Sequence, residues 1–344
     1  MTLTLTLPPM DLGLVVRSHG WYDLPPFEWD EKEKTLGLIF LEGEDPVQVV
    51  VQERPNGLAV KAISDFSYAA AAVQPPTDAN LSSDGGSQGR AARAARRSRT
   101  LDTRHPRKTS SLSFRENLSS DISSDAVFRV LERVLDLRAD LSSFHSTCAA
   151  DPRFAWVARR GAGRILRAPT IFEDAVKVLA TTNCTWGLTK LMVKSLIERF
   201  DRGGAFPDAP YVAGLSARAL AAAKWGYRAP YLAAFARRVA SGKLDLARWE
   251  DPERPDEEVE KEIRAEKGFG PYAADTLGRL LGRHHKLGLD AWSRKKAATL
   301  RFRGRAVKDA RIARFYAPFG PHAGLAFWLD MTRDWHEEKE TVWP

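Results

Sequence analysis

The spacing of apolar residues changes once along the chain, and that change limits the folds open to it. As far as about residue 70, apolar positions recur at every second residue. Leu12, Leu14 and Val16 do so first, then Leu36, Leu38 and Phe40, then Val47, Val49 and Val51 with Gln48 and Gln52 on the other face. A period of two is the mark of strands with one buried face. Asn56-Gly57 parts the third run from residues 58–63 and reads as a hairpin turn. From about residue 124 the period lengthens to that of helices. The expected fold is therefore mainly α with an N-terminal α+β domain, an antiparallel sheet whose apolar face must be covered by helices.

Local signals place those helices. Thr170 and Glu173 have capping-box spacing before an apolar run. Leu188, Leu191, Met192 and Leu196 share one face of the next helix. Ser216 is placed to cap 217–224, and Asp256 to cap 257–266. Leu232, Phe235, Ala236 and Val239 line a helix stopped by Gly242. Pro271 suits the first turn of a helix running to Gly282, and Pro321 does the same ahead of Leu325 and Leu329.

Between the two patterns lies a different material. Residues 75–122 carry Pro75-Pro76, Gly85-Gly86, many serines and a basic cluster from Arg90 to Lys108. Such a stretch has too little apolar surface to offset its ordering entropy, so it is expected to be disordered. It reads either as a solvated insertion or as an electrostatic arm for nucleic acid. Three segments follow: a sheet domain over 1–74, the insertion over 75–122, and a helical domain over 123–344.

Composition removes several function classes. The net charge of +8 over 344 residues permits an anionic partner without requiring one. No run approaches the roughly 18 apolar residues of a membrane span, and the first residues lack the basic start of a secretory signal. Cys148 and Cys184 are the only cysteines, too few for a cysteine-rich zinc site or a four-cysteine iron–sulfur cluster. His284-His285 lacks a third ligand, so no metal site is expected. There is no phosphate-binding P-loop, dinucleotide fingerprint or serine-hydrolase elbow.

The informative constellation is the join between helices 257–266 and 271–281. Lys267-Gly268-Phe269-Gly270 lets the backbone turn sharply and approach a ligand. The free N–H groups at the start of the second helix then form a site for one phosphate. Beyond that helix comes Leu289-Asp290-Ala291-Trp292. Asp290 reads as an N-cap, or as a carboxylate at the mouth of a pocket beside the phosphate-binding turn.

These residues resemble the helix-hairpin-helix (HhH-GPD) superfamily of DNA glycosylases, both its AlkA-type and its 8-oxoguanine-glycosylase-like members. Gly268-Phe269-Gly270-Pro271-Tyr272-Ala273-Ala274-Asp275 followed by Leu287-Gly288-Leu289-Asp290 looks like the family's hairpin and downstream aspartate. Thr181-Thr182-Asn183, the segment from Gly226 to Tyr231, and Gly320-Pro321-His322-Ala323-Gly324 resemble further family segments, and 14–29 looks like its N-terminal sheet domain. The likeness covers nearly everything outside 75–122.

The resemblance implies a base-excision-repair hydrolase that flips a damaged base out of double-stranded DNA. Asp290 would stabilise the sugar cation and orient water. Gly268, Phe269 and Gly270 would hold a phosphate, with a sodium or potassium ion at the hairpin carbonyls and no other cofactor. Asn183 and Tyr227 would wedge into the vacated stack, with Arg228 near the opposite strand. Tyr272 stands where strand-cleaving members carry a Schiff-base lysine, and tyrosine forms no imine. A monofunctional enzyme acting on an alkylated base is therefore implied, with Tyr272, Trp186 and Trp225 as the first pocket aromatics and Trp21, Tyr22 and Trp292 behind them. Cys184, Leu188 and Phe327 depart from the 8-oxoguanine pattern. A monomer is expected, intracellular and free of membranes, in cytoplasm, nucleoid or nucleus. Two other readings stay open: a non-catalytic hairpin protein that binds damaged or distorted DNA, and an enzyme that cuts the strand through another amine.

Overall fold

The computed structural model describes residues 2–5, 10–64, 123–199 and 202–336. The 75–122 segment, read as a disordered insertion or an electrostatic arm, lies outside the described residues. Five strands, β1 (Thr2–Leu5), β2 (Glu28–Asp30), β3 (Thr35–Glu42), β4 (Asp45–Arg54) and β5 (Gly57–Ser64), form one antiparallel sheet in the order β1-β5-β4-β3-β2. Its register pairs Leu38 with Val49 and Val51 with Val60. One face thus collects Leu36, Leu38, Phe40, Val47, Val49, Val51, Leu58 and Val60, all buried, as the period of two requires. The β4–β5 turn sits one residue earlier than expected. Arg54 pairs with Gly57, so Pro55-Asn56 forms the turn and Gly57 supplies the positive φ.

The first run of the sequence is not a strand. Leu12–Val16 is a short helix, α1, capped by Asp11, whose side chain accepts from Leu14 N. All of its residues are buried. Over five residues a fully buried helix and a strand show the same apolar spacing, and the cap decides between them.

The helical part opens with α2 (Ser124–Val134), α3 (Ser142–Ala150) and α4 (Ala155–Arg160). Next come α5 (Ile171–Thr181), α6 (Trp186–Arg199), α7 (Ala209–Ala213) and α8 (Ala217–Leu220). The hairpin region holds α9 (Ala229–Ala240), α10 (Ala247–Glu250), α11 (Asp256–Ala265) and α12 (Pro271–Leu280). The chain closes through α13 (Ala291–Arg301), α14 (Asp309–Tyr316), α15 (Ala323–Met331) and α16 (Arg333–His336). Thr170 caps α5, but its partner in the expected capping box, Glu173, instead pairs with Lys177 at 2.6 Å. Met192 and Leu196 of α6 are buried, whereas Leu188 and Leu191 are exposed. Asp256 is not a cap. Pro255 holds that position, and the Asp256 carboxylate takes Arg283 Nη1 at 2.5 Å and His285 Nδ1 at 2.7 Å. Arg283 also donates to the carbonyls of Trp249, Asp251 and Arg254, fixing the end of α12 against the loop that leads into α11.

A seam at residues 18–21 joins sheet and helices. Ser18 O accepts from Trp328 Nε1 (2.7 Å), Ser18 Oγ accepts from Leu166 N (2.9 Å), and Trp21 Nε1 donates to the buried Asp174 (2.6 Å). Asp174 is neutralised in turn by Arg133 at 2.9 Å. Breaking such a buried network leaves an uncompensated charge, which is the costly case. The seam carries His19 and Trp21 onto the wall of a cavity. Among the described residues no helix is long and apolar enough to cross a membrane.

A second close contact fixes α15. Gly324 N donates to His284 O at 2.7 Å, and a Cβ on Gly324 would lie 1.9 Å from Lys286 O. Backbone cannot yield as a side-chain tip does. Gly324→Ala is expected to destabilise the fold by about 3 kcal/mol, read as a lower urea midpoint at an unchanged slope. An unchanged midpoint contradicts this packing.

Candidate functional site

The hairpin expected between 257–266 and 271–281 is present as α11, a turn over Glu266–Gly270, and α12. Phe269 is buried in the turn, its ring 5.2 Å from that of Phe235. Gly268 has φ +96°, and a Cβ there would meet Leu179 Cδ1 at 2.7 Å; only glycine satisfies both demands. Gly270 differs, because its Cβ would meet nothing within 4 Å. With φ at −75° as well, the fold itself makes no demand for glycine at 270. Since Pro271 has no N–H, the unbonded donors at the start of α12 are those of Tyr272 and Ala273, with Gly270 before them; Ala274 N already bonds Gly270 O. Lys267 is exposed.

Beside this turn lies a cavity of about 920 Å³. It takes His19 and Trp21 from the seam, Thr181 to Cys184 from the end of α5, and Trp186 from α6. Tyr272 and Arg279 come from α12, Asp290 and Trp292 from the start of α13, and Trp328 and Trp335 from α15 and α16. Among the described lining residues there is no lysine. A shallow depression of similar size beside the sheet is lined by charged side chains such as Glu33, Lys34, Glu53 and Arg160, with no aromatic residue. It holds none of the sequence candidates.

Asp290 fills both roles read from the sequence. It is the N-cap of α13: Oδ1 accepts from Ser293 N at 2.7 Å, and Asp290 N donates to Ser293 Oγ at 2.9 Å. That box fixes the side chain and leaves Oδ2 without a described partner, at the cavity wall. The positive end of the α13 dipole favours a carboxylate there. Tyr272 faces it. Burial and the Asp290 charge push the Tyr272 hydroxyl above the ordinary tyrosine range, and a hydrogen bond with Thr181 opposes them.

The remaining candidates divide. Trp186 lines the cavity and donates to Asp23 Oδ2 at 2.7 Å. Trp225 is fully buried and does not line it, because its helix points the indole into the core. Asn183, with φ +47°, and Tyr227, 56% exposed, both sit at the rim. Arg228 is only 4% exposed. It lies over the Tyr227 ring (4.5 Å) and donates to Thr182 O, so it fastens the two rim loops to each other. Phe327 is fully buried, edge-on to Tyr316.

Sequence reasoning missed His19, Arg279, Trp328 and Trp335. Trp292, Trp328 and Trp335 form one aromatic wall, with Trp292 stacked on Trp335 at 5.9 Å and Trp328 edge-on to Trp335 at 5.5 Å. His19 lies against Trp21 (4.2 Å) and Trp328 (5.5 Å). Burial, then the Arg279 and Lys177 charges, push its pKa down to about 3, so it is neutral at physiological pH. No cluster of three or more His, Cys, Asp or Glu side chains among the described residues is arranged to hold a metal ion.

No family model and no curated protein matches the sequence. Solved structures do. MBOgg1 in complex with a low-affinity DNA ligand superposes with a TM-score of 0.65 at 16% identity, covering 97% of this chain and 95% of that one. The Clostridium acetobutylicum 8-oxoguanine glycosylase/lyase, bound to double-stranded DNA with cytosine opposite 8-oxoguanine, gives 0.63 at 17%, covering 96% and 93%. The 3-methyladenine DNA glycosylase of Archaeoglobus fulgidus gives 0.62 at 15%, covering 97% and 98%. The chain has the fold of these glycosylases. The overlap spans sheet and helices alike, as the resemblance implied.

The histidines give a pH test. Burial pushes His284 down to about 3 as well. An unfolded histidine takes its proton near 6.5, and these two take theirs only near 3. Between those values the unfolded chain binds more protons, so their contribution is complete above about 6.5 and is lost as pH falls. The urea midpoint should drop from pH 7 to pH 4.5, less steeply in His19→Gln. Parallel curves for the two proteins contradict the buried neutral state of His19.

Proposed function

We propose that the chain is a monofunctional DNA glycosylase, which hydrolyses the N-glycosidic bond of a damaged base flipped out of double-stranded DNA. The observation that carries this reading is the Asp290 carboxylate, held by its capping box with one oxygen free at a cavity that has the hairpin turn at its edge. The likeness in fold to enzymes solved with DNA supports it.

In this reading a phosphate sits on the N–H groups of Gly270, Tyr272 and Ala273, aided by the dipole of α12. A sodium or potassium ion on the hairpin carbonyls would steady it. Gly270 keeps that approach open. Tyr227 and Asn183 fill the space left by the flipped nucleotide. The base enters between Tyr272 and the tryptophan wall. An alkylated base, implied by the resemblance, has the flat π-face that this wall stacks on, and an adduct such as an etheno base is alkylated without carrying a fixed positive charge. As the bond to C1′ lengthens, the sugar gains positive charge and the free Asp290 oxygen stabilises it. Water then adds at C1′. The absence of a lysine from the described lining, with tyrosine at 272, supports hydrolysis without strand cleavage.

Asp290→Asn tests the chemistry without removing the helix cap, since asparagine caps as well as aspartate. Single-turnover excision is expected to fall by about a thousandfold or more, with affinity for an abasic-site duplex within about tenfold of the parent. Turnover close to that of the parent contradicts the assignment. Borohydride should trap no covalent enzyme–DNA species, and a trapped lysine would mean that the chain also cuts the strand. Gly270→Ala should bind abasic DNA at least about tenfold more weakly at an unchanged urea midpoint. Equal binding would take the phosphate away from the turn.

A further inference from the structure

The cavity contains a cation that stabilising the sugar does not use. Arg279 is 2% exposed and lines the cavity. Its Nη2 donates to Leu287 O at 3.0 Å. Its Nε is buried without a partner, and no described group accepts from Nη1. One face of the guanidinium lies over Trp328, 4.5 Å from the ring centroid. Tyr272, Asp275 and Asp290 act on it electrostatically, but among the described residues it makes no ion pair with any carboxylate. Burial lowers its pKa to about 10, so it remains charged at neutral pH. A buried guanidinium with unmet donors is costly to keep; Nε is enclosed, so Nη1 is the donor that an acceptor arriving with the ligand can meet.

Heterolysis of an N-glycosidic bond leaves both electrons on the base nitrogen. A base that carries a fixed positive charge in the duplex therefore departs neutral and needs no help. A base that is neutral in the duplex departs as an anion. Resting on the glycosylase reading, we propose that Arg279 is a catalytic residue that binds an acceptor on the flipped base and bears the negative charge of its departure, so that the enzyme selects bases neutral in the duplex over bases with a fixed positive charge. The division of labour is symmetrical. Asp290 faces the sugar, which becomes positive, and Arg279 faces the base, which becomes negative. Water adds its oxygen to C1′ and releases a proton by way of Asp290 to solvent. The base anion takes up a proton from solvent, so the net change is the addition of water across the C1′–N bond.

Three further features fit. A cationic base would meet the Arg279 charge, and repulsion strengthens as the base displaces water from the cavity. One face of Trp328, to which such a base would be drawn, is already covered by the guanidinium. His19, beside Trp328, is neutral and adds no opposing charge.

The test is a set of duplexes with one lesion each. Hypoxanthine, 8-oxoguanine and 1,N6-ethenoadenine are the neutral bases; 7-methylguanine and 3-methyladenine are the cationic ones. Single-turnover excision is divided by spontaneous loss from the same duplex. The parent protein should accelerate a neutral base most. Arg279→Met should lower that acceleration by about 100-fold or more while changing the cationic bases by about threefold or less. Arg279→Lys should restore part of it. A cationic base accelerated most by the parent protein overturns the proposal, whether or not the variants fold. So does an equal loss on both classes in a Met variant that still binds an abasic duplex, which would mean that Arg279 only holds the Leu287 carbonyl. If the parent protein releases none of the five bases, the glycosylase reading falls and this inference falls with it.

Discussion

One close contact sets the geometry of the cavity. The turn at Gly268, at a φ of +96° that glycine adopts freely, lies directly against the side chains of Leu179 of α5 and Tyr231 of α9. Because the turn is flush with α5, the end of that helix reaches the cavity with Thr181 and Asn183. Because it is flush with α9, the rim loop carrying Tyr227 comes to the same edge, and Arg228 locks the two together through the Thr182 carbonyl. The direction of α12 is then fixed at its start by the turn and at its end by Arg283 on three loop carbonyls. Its inner face presents Tyr272 and, two turns on, Arg279. Arg279 holds Leu287 O, and a Cβ on Gly288 would come within 2.8 Å of Arg279 Nη2. The short path from there to the Asp290 cap is thus determined from the hairpin onward.

The electrostatics follow from that placement. A carboxylate and a guanidinium share one cavity without forming an ion pair. Each is held by backbone: Asp290 by an amide of its own helix, Arg279 by a carbonyl of the loop that follows its helix. In a medium of low dielectric such separated charges act strongly on whatever lies between them, and a site organised in advance loses nothing to rearrangement during reaction. Neutral His19 and the wall of Trp292, Trp328 and Trp335 add no charge beside them, and Arg294, also in the lining, pairs with Asp309. The seam hydrogen bond from Trp328 to Ser18 makes the sheet part of this arrangement, since it brings His19 and Trp21 to the cavity.

Much of this was legible in the sequence. The period of two found β3 to β5, and capping residues found α5, α8 and the start of α12. The hairpin and Asp290 were readable because glycine, proline and a cap have local meanings that survive in any tertiary setting. One failure is local: residues 12–16 are helical under the weak signal of the Asp11 cap. In the others the deciding contact is distant in sequence. Asp256 turned from capping to Arg283, which arrives from 27 residues away. Trp225 and Trp328 look alike as isolated tryptophans, and only packing sends one to the core and the other to the cavity. Arg279 reads as an ordinary basic residue near a helix end, and nothing local shows that it is buried.

In the proposed reaction a positive charge develops beside Asp290, and affinity for a mimic of that charge measures it without knowledge of the lesion. The comparison is between duplexes containing a cationic pyrrolidine abasic analogue and a neutral tetrahydrofuran one, titrated at a fixed salt concentration. The cationic analogue is expected to bind about 100-fold more tightly or better, and Asp290→Asn to remove most of the difference. Equal affinity for the two analogues, in a protein that binds both, would contradict that reaction.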